Sequence, residues 1–378
     1  MADRESEIIA RIAPGIVSVD PAQWDALAGS HPFTSHAFLA SLEASGSVGP
    51  GTGWSPAPIL VEEEGRLVAA APAFVKSHSQ GEYVFDHAWA DAFERVSGRY
   101  YPKLQIAVPF TPVPGPRLLG SRPQQLLAAA EALVLQNDLS SAHVTFLDEA
   151  GVAECDRRGW LIRDGIQYHW SNRGYRDFDD FLAALASRKR KQIRKEREAA
   201  GVGLDFAELR GSEIGPAEWD AMWAFYQDTG SRKWGRPYLT RNFFDRLAEA
   251  FGDRLLLFLA RRGGVPIAGA LNVVGDDALY GRYWGTLAEA PFVHFELCYY
   301  RAIDWACRHG LACVQAGAQG EHKLARGYEP VVTRSAHFIA DLRLRAAVAD
   351  FVERERDAVR QEIAWLREGL PYRSSASE

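Results

Sequence analysis

Apolar positions along the 378-residue chain change their period in a fixed order, and that order occurs twice. Between residues 18 and 45, Trp24, Leu27, Phe38 and Leu42 recur at helical spacing, and Asp20-Pro21 supplies a cap and a first-turn proline. The period then shortens. Ile59-Leu60-Val61, a polar turn from Glu62 to Arg66, and Leu67-Val68-Ala69-Ala70 predict a hairpin, with a third strand around Tyr83 to Phe85. An Ala/Leu-rich helix over 122–138, a strand over 142–147 and a final strand pair between Trp160 and Trp170 complete the first half. The second half opens with helix over 216–250. Leu255 to Ala260, the turn Arg261-Arg262-Gly263-Gly264 and Ile267 to Val274 form a hairpin, and Ala278 to Trp284 a third strand. A helix from Phe295 to His309 and strands from Leu311 to Gln315 and Val332 to Ile339 follow.

Two sequence blocks mark the repeat. Arg158-Gly159-Trp160 precedes His169-Trp170, and Arg326-Gly327-Tyr328 precedes His337-Phe338 at one common offset. A single long offset means a duplicated unit rather than an array of short repeats. The reading is therefore one domain over 1–172, a second over 173–342, and a C-terminal amphipathic helix with a polar tail over 343–378. On that helix Val348, Phe351, Val352, Val359, Ile363 and Leu366 share a side; such a stripe is usually core, with peripheral membrane contact the lesser alternative. A duplicated α/β unit usually places its substrate site near the junction of its copies.

Composition narrows the class. Charged residues at 24% and hydrophobic ones at 47% fit a globular domain pair able to bury two cores. The formal charge of −6 argues against a general nucleic-acid binder, although a local basic patch can still act. The acidic N-terminus is unlike a secretory signal, and no apolar run approaches the roughly 20 residues that span a bilayer. Cys155, Cys298, Cys307 and Cys313 lack metal or disulfide spacing and read as reduced, mostly buried thiols. Together these predict a cytoplasmic protein, with the periphery of the inner membrane as its other expected place.

The element order resembles the GNAT acyltransferase unit, in which strands flanking a helix splay apart and accept a donor's pantetheine arm. The fold class expected is thus α/β with mixed sheets, two GNAT-like units in tandem. Neither half shows the glycine-rich phosphate loop of that fold. Longer segments carry a closer resemblance: Phe85-Asp86-His87-Ala88-Trp89-Ala90, Tyr100-Tyr101-Pro102-Lys103-Leu104-Gln105, Val108-Pro109-Phe110-Thr111-Pro112-Val113, Gly281-Arg282-Tyr283-Trp284-Gly285, His294-Phe295-Glu296 and Gly317-Ala318-Gln319-Gly320-Glu321-His322-Lys323. These are similar to the FemAB-like predicted N-acyltransferases, a peptidoglycan biosynthesis or recognition family. That resemblance implies transfer of an acyl group from an acyl-CoA-type donor to an amine such as a long-chain amine, with no tightly bound cofactor. It also keeps open an aminoacyl-tRNA-dependent peptidyltransferase acting on a peptidoglycan precursor, and a non-catalytic protein holding an envelope ligand. Fem peptidyltransferases carry a long coiled-coil arm between their halves; here a short basic helix stands there.

Candidate chemistry follows from residue type and place. Gly317 to Lys323 comes directly after a strand, where Glu321 or His322 could deprotonate an amine and Lys323 could hold a carbonyl oxygen. Gln319 is a substrate contact in the same turn, and backbone amides near Gly285 are further oxyanion donors. Glu296 is a base, an anchor for Arg282 or Lys323, or a first-turn carboxylate favoured by the helix dipole. Arg188, Arg190 and Arg194 on the basic helix, which Ser187 can cap, would bind donor phosphates, or form a solvated face. Asp86, His87, Tyr101 and Lys103 reach a substrate from the first half, or form a buried Asp–His bond that holds a loop. Tyr283, Trp284, His294, Trp234 and Arg236 line an acceptor tunnel, the last two in a loop that could equally be packing. His169 and His337, duplicated between aromatics, read as structural. No metal spacing occurs.

Overall fold

A computed structural model describes residues 7–234, 237–317 and 320–373, with backbone only for 232–234. It divides into two compact units that are discontinuous in sequence. Unit 1 comprises residues 1–165 and 332–360, and unit 2 residues 166–331 and 361–378. The strand Leu161–Ser171 begins in unit 1 and ends in unit 2, while Glu329–Ile339 does the reverse. Each half of the sequence therefore sends its closing strand to the other unit, an exchange that contiguous boundaries at 172 and 342 do not contain.

In unit 1 a helix capped by Asp20 (Pro21–Ala28) precedes the hairpin Ile59–Glu63 and Arg66–Ala71. The third strand is Ala73–Lys76, not the stretch around Tyr83 to Phe85, which is an irregular loop leading into the helix His87–Arg95. Tyr83 has a positive φ of 58°, incompatible with an extended strand. Lys103–Ile106 pairs antiparallel with Ala73–Lys76 and parallel with Ser141–Leu147. Glu329–Ile339 then closes on Ser141–Leu147, with Phe338 opposite Ala142 and His337 opposite His143. The Ala/Leu-rich helix Pro123–Gln136 covers this sheet through Leu126, Leu127, Ala130 and Val134, all buried. The last helix, Leu342–Glu368, buries Leu344, Val348 and Val352 beside Trp89 and Tyr100 in a second cluster.

Unit 2 is built on a meander of Leu255–Arg262, Val265–Val274 and Ala278–Thr286, with Asp205–Arg210 on its outer edge. The predicted helix over 216–250 is two helices, Pro216–Trp234 and Arg241–Phe251, the second capped by Thr240. Cys313–Gln315 runs parallel to the third meander strand, and the end of Leu161–Ser171 closes on it with Trp170 opposite Val314 and His169 opposite Gln315. The stretch expected as a strand pair, Trp160 to Trp170, is this one long strand. The core gathers Trp170, Phe181, Leu185, Ile193, Phe258, Leu297, Ile303, Val314 and Tyr328, with Leu366 from the last helix. Cys155 and Cys307 are buried, but Cys298 and Cys313 are only half-buried. No described helix is long and apolar enough to cross a membrane.

Candidate active site

Ala278–Thr286 and Cys313–Gln315 pair only over Ala278 to Tyr280 and Cys313 to Gln315. Beyond Gln315 the second strand ends, while the first continues through an irregularity at Arg282, where Leu271 faces Tyr283 but Asn272 faces Gly281. Such a bulge bends a strand and re-aims its side chains. The following helix starts at Val293 after Phe292 in left-handed conformation, and its second turn, Glu296–Tyr300, is a π-turn. Single π-turns inside helices frequently mark functional sites. A cleft of about 690 Å³ opens beside these elements, lined by Asp228, Trp284, Thr286, Glu289, Pro291 and His294 among others. Trp284 and His294 face each other with ring centroids 4.9 Å apart.

The turn after Gln315 carries Glu321, His322 and Lys323, three of the residues expected to act chemically. Gly320 has φ +121°, and a Cβ there would come within 2.6 Å of the His322 ring, so only glycine lets that ring settle. His322 is exposed, bonds through Nε2 to the Tyr299 hydroxyl at 2.8 Å, and lies 5.9 Å from His294 between centroids. Lys323 is only 1% exposed, donates to the Gly317 carbonyl at 2.7 Å, and has no ion pair among the described residues. Burial lowers its pKa to about 8, against a smaller upward pull from Cys298. Glu321 is exposed, with no ion pair among the described residues. Opposite the turn, His169 bonds to Gln167 at 3.2 Å and is held neutral, its pKa lowered to about 4 by burial and then by the Lys323 charge. The buried Gln315 Oε1 and Tyr328 hydroxyl have no hydrogen-bond partner among the described residues. Each unsatisfied buried group calls for an explanation, and others occur outside this turn, at Glu82 Oε1 and Asp86 Oδ1 of unit 1 among them.

Arg326 fixes this turn. Its guanidinium pairs with Glu196 at 2.9 Å, donates to the Tyr300 hydroxyl at 3.0 Å and to the His322 carbonyl at 2.7 Å, and lies 3.4 Å from the Phe295 centroid. Glu196 also accepts from Tyr300. Sequence reasoning noticed Arg326 only as part of the repeated Arg-Gly-aromatic block. The available signal was the first copy, where Arg158 makes the same kind of pair with Glu131 at 2.7 and 2.8 Å.

The remaining expected residues scatter. Glu296 anchors neither Arg282 nor Lys323: it is buried, bonded by Arg197 at 2.9 Å through two nitrogens and 3.1 Å from Arg301. Both of its carboxylate oxygens are thus engaged by arginine nitrogens. Gly285 faces Gly269 across the meander, and a Cβ there would meet the Phe225 carbonyl oxygen at 2.0 Å, so close helix packing accounts for this glycine. Tyr283 is buried edge-on among Tyr226, Phe243 and Phe244. Arg188 and Arg190 are not among the described residues that line the cleft, and Arg194 pairs with Asp179 at 3.4 Å beside a separate hollow. Ser187 is the first residue of its helix and no side chain caps it. Arg236, Gln319 and the Trp234 side chain lie outside the described residues.

Unit 1 gathers the other candidates into a buried network. Lys103 donates to Asp86 at 2.5 Å and to Ser79 at 2.7 Å, with Glu82 at 3.4 Å. Asp86 also accepts from Tyr100 at 2.7 Å. Burial, the largest single influence, would raise its pKa, but the Lys103 charge, His143 and the hydrogen bonds from Lys103 and Ser79 together outweigh it and hold the carboxyl well below the usual range. Lys76 sits 3.6 Å from the Trp54 centroid, its pKa lowered to about 7 chiefly by burial. Tyr101 bonds to Ser79 at 2.8 Å. The expected Asp86–His87 bond is absent: His87 is exposed and stacked on Phe85, and the histidine near Asp86 is His143, at 3.9 Å. His143 and His337 share a 2.7 Å Nδ1–Nδ1 hydrogen bond inside the sheet.

The fold matches solved structures at low identity. FemX aligns with a TM-score of 0.52 and 12% identity, over 88% of this chain and 98% of its own. A conserved protein of unknown function from Bacteroides thetaiotaomicron aligns at 0.51 and 9%, over 88% and 100%. L-PGS from Bacillus licheniformis aligns at 0.50 and 10%, over 84% and 95%. At such identity the likeness establishes the fold and leaves the substrate open. No curated protein matches the sequence. One family model, described as peptidoglycan biosynthesis/recognition, matches residues 15–374, and over that span the chain belongs to the FemAB-like family.

Proposed function

We propose that this protein transfers an acyl group from an activated donor to an amine, with the reaction centred on the turn after Cys313–Gln315 in unit 2. The observation that carries this reading is Lys323, a buried amine without a carboxylate partner among the described residues, in the turn whose His322 lies 5.9 Å between ring centroids from His294 of the cleft wall. Burying a lone ammonium is costly, and such a residue is kept where a negative charge must be met. The amine nitrogen attacks the donor carbonyl carbon, a C–N bond forms, and the thioester C–S bond breaks with the electron pair leaving on sulfur. Lys323, still mostly protonated at pH 7, stabilises the oxyanion that develops on the carbonyl oxygen. His322, exposed and bonded to Tyr299, takes the amine proton, and Glu321 is the alternative acceptor. Trp284 and His294 supply the wall against which the substrate is oriented.

The preferred donor is a long-chain acyl-CoA-type thioester and the preferred acceptor the amine of an envelope or lipid precursor. Family membership supports a second donor, an aminoacyl-tRNA, whose ester carbonyl the same groups would serve. A recognition role without catalysis is disfavoured because Glu321 and Lys323 make no salt bridge among the described residues. The test is turnover with each donor by wild-type protein and by Lys323→Gln, with folding checked by thermal melting. Removing one oxyanion donor lowers kcat by about 10²–10³. A folded Lys323→Gln protein that turns over either donor at the wild-type rate would sink the reading.

A further inference from the structure

The basic helix Ser187–Ala200 has an inward and an outward face. Ile193, Glu196 and Ala200 are buried, and Glu196 and Arg197 are spent on Arg326 and Glu296. Arg188, Lys191 and Lys195 recur at helical spacing on the exposed side, flanked by the half-buried Lys189 and Arg190. None of these five has an ion pair among the described residues, although ion pairs engage many arginines elsewhere in the chain. The chain as a whole carries −6, so this face is a concentrated exception to its charge.

Apolar groups stand at both ends of the helix. Val202, just past its C-terminus, is 77% exposed. At the N-terminal end, the segment after the last helix is bonded to the chain leading into the basic helix. Ala186 donates to the Pro371 carbonyl at 2.8 Å and Arg373 to the Ala184 carbonyl at 3.1 Å. That docking brings the exposed Arg373, which has no ion pair among the described residues, to the start of the basic helix. On the preceding helical turns, Ile363 and Leu366 are buried, while Trp365 is 68% exposed and Arg367 is exposed without an ion pair among the described residues. Besides Glu296, the acidic groups on or against this helix are Glu196 and Glu198 on the helix itself, Asp179 paired with Arg194, and Asp177 and Asp304, which line one hollow with Arg194 and Arg197. Glu362 and Glu368 stand on the last helix.

We infer that this face of unit 2 docks on an anionic lipid bilayer. Unpaired cations attract a negatively charged leaflet within a Debye length, and an exposed tryptophan and valine gain by entering the headgroup layer. A polyanionic RNA would satisfy the cations but leave Val202 and Trp365 without a role. The inference stands apart from the chemistry assigned to Lys323, and either can fail alone.

The test is flotation of the full chain with vesicles of phosphatidylglycerol and phosphatidylcholine in equal parts, and with phosphatidylcholine alone. The wild type is expected on the anionic vesicles at low salt, to be released at high salt, and to stay off neutral vesicles. Arg188→Glu with Lys191→Glu should lower partitioning more than tenfold, at roughly fivefold per charge removed, with melting unchanged because both side chains are exposed. Trp365→Ala should weaken binding several-fold while leaving its salt dependence intact. Equal binding to both vesicle types, or undiminished binding by the double variant, would overturn the proposal. So would binding to deacylated tRNA but not to vesicles, lost in the same variant.

Discussion

The two units hold polar groups at equivalent places and treat them in opposite ways. One position along from Phe338 opposite Ala142, unit 1 sets His337 against His143; one along from Trp170 opposite Val314, unit 2 sets His169 against Gln315. In unit 1 every ring nitrogen of the pair is used: the two Nδ1 atoms bond each other, and the Nε2 atoms reach Ser141 at 2.8 Å and Ser335 at 2.9 Å. One neutral histidine donates and the other accepts. Beside them, Lys76 and Lys103 are matched by Glu82 and Asp86, all buried. In unit 2 the corresponding region leaves Gln315 Oε1 unbonded and holds Lys323 without a counter-charge among the described residues. The difference lies in charge: Glu82 Oε1 and Asp86 Oδ1 also lack a hydrogen bond among the described residues, but each buried lysine of unit 1 has a carboxylate beside it, whereas Lys323 has none among the described residues.

The comparison breaks most forcefully at Lys103. Lys103→Met leaves Asp86 buried without its cation and Glu82 with Lys76 alone, and should cost about 3–5 kcal/mol in denaturant unfolding. Lys323→Gln, tested above for turnover, should cost far less stability. Equal losses at the two lysines would erase the distinction between the units.

Acid sharpens the contrast next. Burial holds His143 at a pKa of about 3 and His337 well below its ordinary value, the latter also through His143. The unfolded chain takes up protons below about pH 6.5 while these two do not, so stability is fully present above that pH and falls as pH drops toward 3. The expected cost is about 2 kcal/mol per histidine by pH 5, read from chemical melts across pH. A His143→Gln, His337→Gln double variant should flatten that acid slope, whatever its absolute stability.

The smallest effect has the opposite sign. Lys323 is held near pKa 8 in the fold and returns toward 10.5 on unfolding, so the folded state is penalised below pH 8 and relieved as pH rises through that window. Lys323→Met should therefore stabilise the protein at pH 7 by about 1–2 kcal/mol, a gain that shrinks toward pH 10. A destabilised Lys323→Met protein would mean that the bond to Gly317 matters more than the buried charge.

Much of this was legible in the chain. The hairpin in each half, the Ala/Leu-rich helix and the strand after the Phe295 helix follow from local period, because each buries one face against its own unit. The repeated blocks located both closing strands, and family resemblance singled out the turn from Gly317 to Lys323. Tyr83 to Phe85 misled because aromatic residues fit a strand pattern, whereas a positive φ at Tyr83 is set by the loop that carries Glu82 and Asp86 to their lysines.

What the sequence by itself determined is the content of each unit: its elements, their order and the residues capable of chemistry. Which strand completes which unit was decided by tertiary structure, because a closing strand fits either copy of a duplicated edge equally well by local pattern. The fate of each charge was decided there too. Local sequence does not tell Lys103 from Lys323; only the approach of Asp86 to one, and the absence of a described carboxylate beside the other, makes the first a buried ion pair and leaves the second a buried amine without a described counter-charge. Such partners come from distant parts of the chain, and the energy of a buried charge depends on them rather than on its neighbours in sequence.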